Sequence, residues 1–440
     1  MKRLIISITL CVVHYALCMA QLQAVNPQVD VIANYDRSGS NHYAYPIPGD
    51  MPAPKLTRSP AGYRPFLIEH YGRHGSRWLT NAKSYTRPLH TLEQADKQGQ
   101  LTPVGQRMLR DLRRVWLEAE GRVGDLSDIG AEQHQGIAQR MMHNFPTVFR
   151  PGAVIDARST VIIRCILSMQ NETMMLRAAN PQLTITTDAS YHDMYYMGWG
   201  YGEDTLANHI RKDMDRVTDD LYRQHVRTDR FVNMLFADTV GLNLTPDNAV
   251  RMMTDVFGVA GSLQGHHAFD GWSMYHYFTN DEIFELWRLR NIYWYVHWAN
   301  SPRNGNRMPY IERALLRNMI ESADRAVSQG RIGADLRFGH ETCLLPLACL
   351  MELDSVNLST DDLDNLHLHW QDYNIFPKAC NIQMVFYEPM HGQKDILVKV
   401  LLNEHEATLP VPCVEGPYCR WSDLRAYYLR KLDTKIDFSF

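Results

Sequence analysis

The stretch YGRHGSRW, Tyr71 to Trp78, sets Arg73, His74 and Arg77 inside five consecutive positions. Three cationic side chains this close repel one another unless an anion lies between them. Guanidinium forks take phosphate oxygens two at a time. The arginines' charge disfavours an imidazolium, so His74 is expected to stay neutral and nucleophilic. The arrangement suits a histidine that accepts a phosphoryl group while arginines hold its oxygens. Two other stretches add to it. Arg158 precedes the hydroxyl residues Ser159 and Thr160 in DARST, and His340 precedes Glu341 in RFGHETCLLPL. Glu341 is a carboxylic acid that can give a leaving alkoxide its proton. Gly75 marks a point where the backbone comes close to something. Thr80, Lys83 and Arg87 follow the first motif and are expected to contact substrate, the two cations through additional phosphates.

The elements that must carry these groups read as α/β. YRPFLIEH, GAVIDARST and ADLRFGH have strand character, and each leads into one of the chemical clusters. Helical patterns follow in STVIIRCILSMQNETMML and ETCLLPLACLM, while LTPVGQRMLRDLRRVWLEA is a helix with Thr102 as N-cap and Pro103 at its first position. Ligands of open α/β sheets bind beyond the carboxyl ends of the strands, so the three strand ends are expected to converge. NIQMVFYE and DILVKVLLNE read as a strand pair around a turn, and SDLRAYYLRKL as a closing helix. Residues 180–330 differ in texture, with long helical patterns at 203–225, 246–264, 281–298 and 309–329. Thr279 and Glu282 open the third at capping-box spacing. The expected organisation is a sheet flanked by helices, built from residues 61–179 and 331–440, with an α-helical cap inserted at 180–330. An extended lead-in is expected at 21–60.

Composition bounds the partners. The chain has 440 residues and a formal net charge of −4. No bulk basic field is present, so nucleic acid is not an expected partner. The expected partner is a small-molecule phosphate ester held by a local cluster. The start, MKRLIISITLCVVHYALCMAQ, has a basic flank, an apolar run and small residues before Gln21, which predicts a signal peptide cut near Ala20 and export. No later segment is long and apolar enough for a membrane span. An oxidising compartment makes a Cys413–Cys419 bond around a Gly-Pro turn plausible, with Cys165, Cys343, Cys349 and Cys380 buried in apolar runs. His266 and His267 look like a metal pair but lack further ligands at matching spacing, and HETCL lacks the second histidine of H-E-x-x-H. No metal or cofactor is expected. The aromatic run YWYVHW, Tyr293 to Trp298, reads as core packing.

R-H-G-x-R after a strand, a later arginine before a small hydroxyl residue, and a late histidine followed by an acid together resemble the histidine acid phosphatase branch of the histidine phosphatase superfamily. RFGHETCLLPL is most similar to the multiple inositol polyphosphate phosphatases and phytases of that branch. The resemblance covers most of the chain after residue 60. It implies that His74 becomes phosphorylated, that Arg73, Arg77 and Arg158 bind phosphate, and that His340 is the pocket's second histidine. The expected activity is hydrolysis of inositol polyphosphates through a phosphohistidine. A broad acid phosphatase acting on sugar phosphates is the alternative, and a phosphate-ester binding protein without turnover the rival from another class. Two positions depart from the family pattern. Glu341 follows His340 directly where the inositol polyphosphate phosphatases have His-Ala-Glu, and Leu79 stands where proline is common.

Overall fold

The strand β1, Tyr63–Arg73, is buried over its last eight residues with no exposed face, as a strand covered on both sides must be. Its surroundings supply that cover. The computed structural model describes residues 26–49, 54–198, 200–392 and 395–438. The expected signal peptide lies outside them. Among the described residues no helix is long and apolar enough to cross a membrane.

Seven more strands join β1: β2 Val154–Ser159, β3 Thr184–Ala189, β4 Gly333–Gly339, β5 Asn381–Pro389, β6 Leu397–Leu402, β7 His405–Glu406 and β8 Cys419–Arg420. Their order is β3-β2-β4-β1-β5-β6-β7, with β8 also on β6. The first four run parallel, and β5 and β6 add an antiparallel pair. The register is what matters for chemistry. Arg73 pairs with Gly339, so β1 and β4 end at the same level and the next residues, His74 and His340, leave the sheet side by side.

The longer helices are α1 Lys83–Lys97, α2 Pro103–Ala119, α3 Asp128–Asn144, α4 Ile163–Ala179, α5 Asn208–His225, α6 Pro246–Ser262, α7 Asn280–Trp298, α8 Arg313–Gln329, α9 Glu341–Leu350 and α10 Trp421–Leu432. Ile137 and Met141 of α3 and Met169 and Leu176 of α4 share an apolar cluster with Ile68, Ile155, Leu336 and Phe338 of the sheet. Helices α8, α9 and α10 share another with Leu67, Tyr71, Met384 and Phe386. The caps form as the sequence indicates. Thr102 accepts from the Gly105 amide at 3.0 Å, and Thr279 and Glu282 close a capping box.

The organisation departs from the expected one in three places. Residues 184–189, inside the expected cap, form the edge strand β3; TITTDA carries β-branched residues suited to a strand. Helix α8 covers the sheet, while α1 and α2 join α6 and the start of α7 in a separate apolar cluster. The helical body is therefore built from both sides of the chain's midpoint. The lead-in is not extended throughout: Pro27–Ala33 is a helix capped by Asn26, and Tyr35–His42 forms consecutive 3-10 turns.

Cys413 and Cys419 are disulfide-bonded, and the other four cysteines named above are buried. Trp294 to Trp298 are buried as core, with Tyr293 half-buried beside them. His266 stacks on Trp78, whereas His267 turns to Asp270 and Glu132; the two imidazoles do not act as a pair.

Candidate active site

Gly75 explains how the first motif is held. A Cβ on Gly75 would lie 2.2 Å from the carbonyl oxygen of Gly130, and one on Gly130 would lie 2.2 Å from that of Ser76. The loop after β1 therefore rests directly on the first turn of α3, a contact that only two glycines permit. Gln133, one turn along, accepts from the Ser76 amide at 2.8 Å and donates to Ser76 Oγ at 3.0 Å. Ser168 of α4 accepts from the Gly75 amide at 3.1 Å. The loop is fixed before any ligand arrives.

That fixation sets the protonation of His74. Its Nδ1 lies 2.8 Å from the carbonyl oxygen of Gly75. A carbonyl only accepts, so the proton sits on Nδ1 and the lone pair on Nε2. Nε2 is buried without a hydrogen-bond partner. Burial, together with the charges of Arg164, Lys378, Arg73 and Arg77, holds the imidazole well below the ordinary histidine range. His74 is thus a neutral base with a free lone pair among cations.

Arg73, wholly buried, is anchored three ways. Its Nη1 donates to the Phe376 carbonyl at 2.8 Å, and its Nη2 meets both the Asn41 carbonyl and Glu341 Oε1 at 2.8 Å. Arg77 donates to the Trp78 carbonyl at 2.9 Å and leaves Nε unpartnered. Burial and the surrounding positive charge bring its pKa down to about 10, against the opposing pull of Glu341. His340 accepts through Nε2 from Arg164 Nη2 at 3.2 Å, which places its proton on the unpartnered Nδ1. Its ring centroid stands 5.5 Å from that of His74, edge to face. Glu341, the first residue of α9, brings Oε2 to 3.8 Å from His74 Nε2. Burial alone would raise its pKa, but Arg73, Lys378, Arg77 and His340 outweigh it and hold the carboxyl well below the usual range. The free site therefore carries an ionised Glu341.

Arg158 does not join this cluster. Strand alternation turns it away from buried Ala157 and Ser159 and onto the face of Asp156. There its Nη1 pairs with Asp193 at 2.8 Å, and it lines a separate cavity of ≈ 730 Å³ with Arg325 and Arg337. Its register partner is Arg337, two residues short of the level reached by Gly339. The arginine that arrives instead is Arg164, in the first turn of α4. A cation there opposes the helix dipole, and that oddity is the sequence signal that was available.

The outer residues divide. Thr80, Arg77 and Asn41 line a cavity of ≈ 250 Å³ with His42, Ser84 and Arg290 of α7. Lys83 is exposed at the start of α1, next to Ser84. Arg87 is held by Asp255 through two bonds of 2.8 and 2.7 Å, so its charge is already matched. Asn41, His42, Lys378 and Arg290 have no local sequence signature. Asn41 donates to Glu341 Oε1 at 3.2 Å from the lead-in. Among the described residues no His, Cys, Asp or Glu group is arranged to hold a metal ion.

No protein-family model and no curated protein matches this sequence. The fold does match solved structures. A multiple inositol polyphosphate phosphatase from Bifidobacterium longum, in complex with inositol hexasulfate, superposes with a TM-score of 0.74 at 17% identity, over 89% of this chain and 97% of that one. A phytase from D. castellii gives a TM-score of 0.70 at 16% identity, over 91% and 86% of the two chains. The chain has the fold of these histidine acid phosphatases, and the mixed sheet with flanking helices is the one expected from the sequence.

Proposed function

We propose that this protein is an exported phosphomonoesterase that hydrolyses inositol polyphosphates through a phosphohistidine on His74. The observation that carries the reading is the lone pair of His74 Nε2, buried and unpartnered amid Arg73, Arg77 and Arg164. Other buried histidines such as His70 also leave ring nitrogens unpartnered; what distinguishes His74 is its place directly after β1, with its lone pair among three guanidinium groups.

The phosphoryl oxygens take the free guanidinium N–H groups and His340 Nδ1–H. Their negative charge offsets the arginine field that keeps Glu341 ionised, so Glu341 gains a proton as substrate binds. His74 Nε2 attacks phosphorus in line with the ester oxygen. The P–O bond breaks and the departing alkoxide takes the Glu341 proton. Water then attacks the phosphohistidine, giving a proton to the Glu341 carboxylate. Inorganic phosphate leaves and Nε2 regains its lone pair. The arginines supply the charge stabilisation, so the reading requires no metal ion.

The preference for inositol polyphosphates rests on Arg290 and Thr80, which extend the polar lining outward from Arg77. It also draws on the inositol hexasulfate bound by the B. longum enzyme of the same fold. The test is a comparison of kcat/KM for inositol hexakisphosphate and glucose phosphate. A clear preference for the former supports the assignment. Equal or reversed values would make the protein a broad acid phosphatase, and no turnover of any ester would make it a binder.

A further inference from the structure

The segment Phe376 to Cys380, just before β5, wraps the base of the site. The Phe376 and Cys380 carbonyls accept from the side chain and the amide of Arg73, each at 2.8 Å. Ala379 donates to the His74 carbonyl at 3.1 Å and holds a left-handed φ of 58°. Such a backbone is unfavourable for alanine and persists only where the surroundings impose it. Between Pro377 and Ala379 stands Lys378, whose amide donates to the Tyr43 carbonyl at 2.7 Å. Its side chain is 1% exposed, and Nζ has no hydrogen-bond partner.

A buried amine without a partner is costly and is not a packing residue of choice. The charged groups around it make the position stranger. Arg73 at the end of β1, Arg77 in the loop beyond and Arg164 on α4 all repel an ammonium, and Glu341 on α9 attracts it. Its charge is felt in turn by His74, by His42 of the lead-in and by His266. The balance is short of an anion at the place where the proposed reaction puts a phosphoryl group.

We propose that Lys378 is an additional phosphate-binding group of this site, its ammonium donating to an oxygen of the bound phosphoryl. The inference rests on the phosphatase reading and adds a cation that neither strand-end motif contains. Burial, with Arg73 and Arg77, holds the amine well below the ordinary lysine range. Nζ therefore takes a proton from solvent as a dianion enters, and the pair forms together.

The test is calorimetric titration with inorganic sulfate, whose own charge does not change across the working pH range. Lys378→Met keeps the bulk and removes the charge, and Lys378→Arg keeps the charge. The methionine variant should bind sulfate at least tenfold more weakly, and the arginine variant within about threefold of the unaltered protein. The methionine penalty should narrow as pH rises, because the unaltered lysine must then gain its proton from a scarcer supply. Lys378→Gln stands in if the methionine variant does not fold. Unchanged sulfate affinity in the uncharged variant, or an equal loss in both variants, would overturn the assignment. If the unaltered protein binds no sulfate and cleaves no phosphate ester, the phosphatase reading itself fails and the Lys378 assignment with it.

Discussion

Nδ1 of His74 lies 2.8 Å from the carbonyl oxygen of Gly75, the residue that follows it. This one contact assigns the proton to Nδ1 and directs the lone pair of Nε2 into the cluster of arginines. Burial and those cations hold the imidazole well below 6.5. The nucleophile is therefore neutral at a pH where an ordinary histidine would be protonated. The acid limb of kcat/KM should fall below pH 6.5, because activity is lost only as pH drops through the depressed pKa. A limb centred near 6.5 would mean that the cations do not act on His74 as described.

Arg164 and Arg158 should behave oppositely. Arg164→Ala removes a guanidinium beside His340 and should lower kcat/KM by about 10²–10³, the cost of losing one oxyanion donor. Arg158→Ala breaks a pair with Asp193 on the other face of β2 and should leave kcat/KM within a few-fold. Steady-state kinetics of the two variants on one aryl phosphate decide it. A large loss in Arg158→Ala would restore the role that its place before Ser159 suggested.

Glu341→Gln tests the proton donor. Its turnover of alkyl phosphates should slow by about 10²–10⁴, the range for general acid catalysis. Aryl phosphates carry good leaving groups and should be spared most of that loss. Equal slowing of both classes would assign Glu341 to holding Arg73, which it contacts at 2.8 Å, and not to proton transfer.

His70 offers a test of the fold's pH dependence. Both its ring nitrogens are buried without partners, and burial, with His134 and Arg337, brings its pKa down to about 3. Between 6.5 and 3 the unfolded chain binds a proton at this site and the native chain does not. Stability is thus full above 6.5 and is lost as pH falls, by about 1.4 kcal/mol per pH unit from this residue. Tm measured by scanning calorimetry from pH 7 to pH 4.5 should fall less steeply in His70→Leu than in the unaltered protein. Parallel slopes would contradict the assignment.

The strand-end chemistry was legible because it is local. In YGRHGSRW and RFGHET the strand and the reactive residues are contiguous, so reading one locates the other. Arg158 and Arg164 lie six residues apart in one stretch, and choosing between them required the strand's end and its alternation. Ser159 ends β2, α4 starts at Ile163, and only the second arginine reaches the site. Asn41 and Lys378 enter from segments 30 or more residues from either motif along the chain. Their places are set by backbone bonds such as Lys378 to Tyr43, which no periodicity announces. Residues 184–189 pair with β2 at the edge of the sheet and are mostly exposed, so they lack the apolar run that marked β1 and β4.

The central claim is a phosphoryl group on His74. Rapid acid-free quenching during turnover of a labelled aryl phosphate, followed by peptide mapping, should recover an acid-labile, base-stable label on the peptide spanning Tyr71 to Trp78. The same experiment on His74→Ala should recover none, while that variant still binds inorganic phosphate through Arg73, Arg77 and Arg164. Label on a serine or on the peptide containing His340, or full turnover in His74→Ala, would contradict the account.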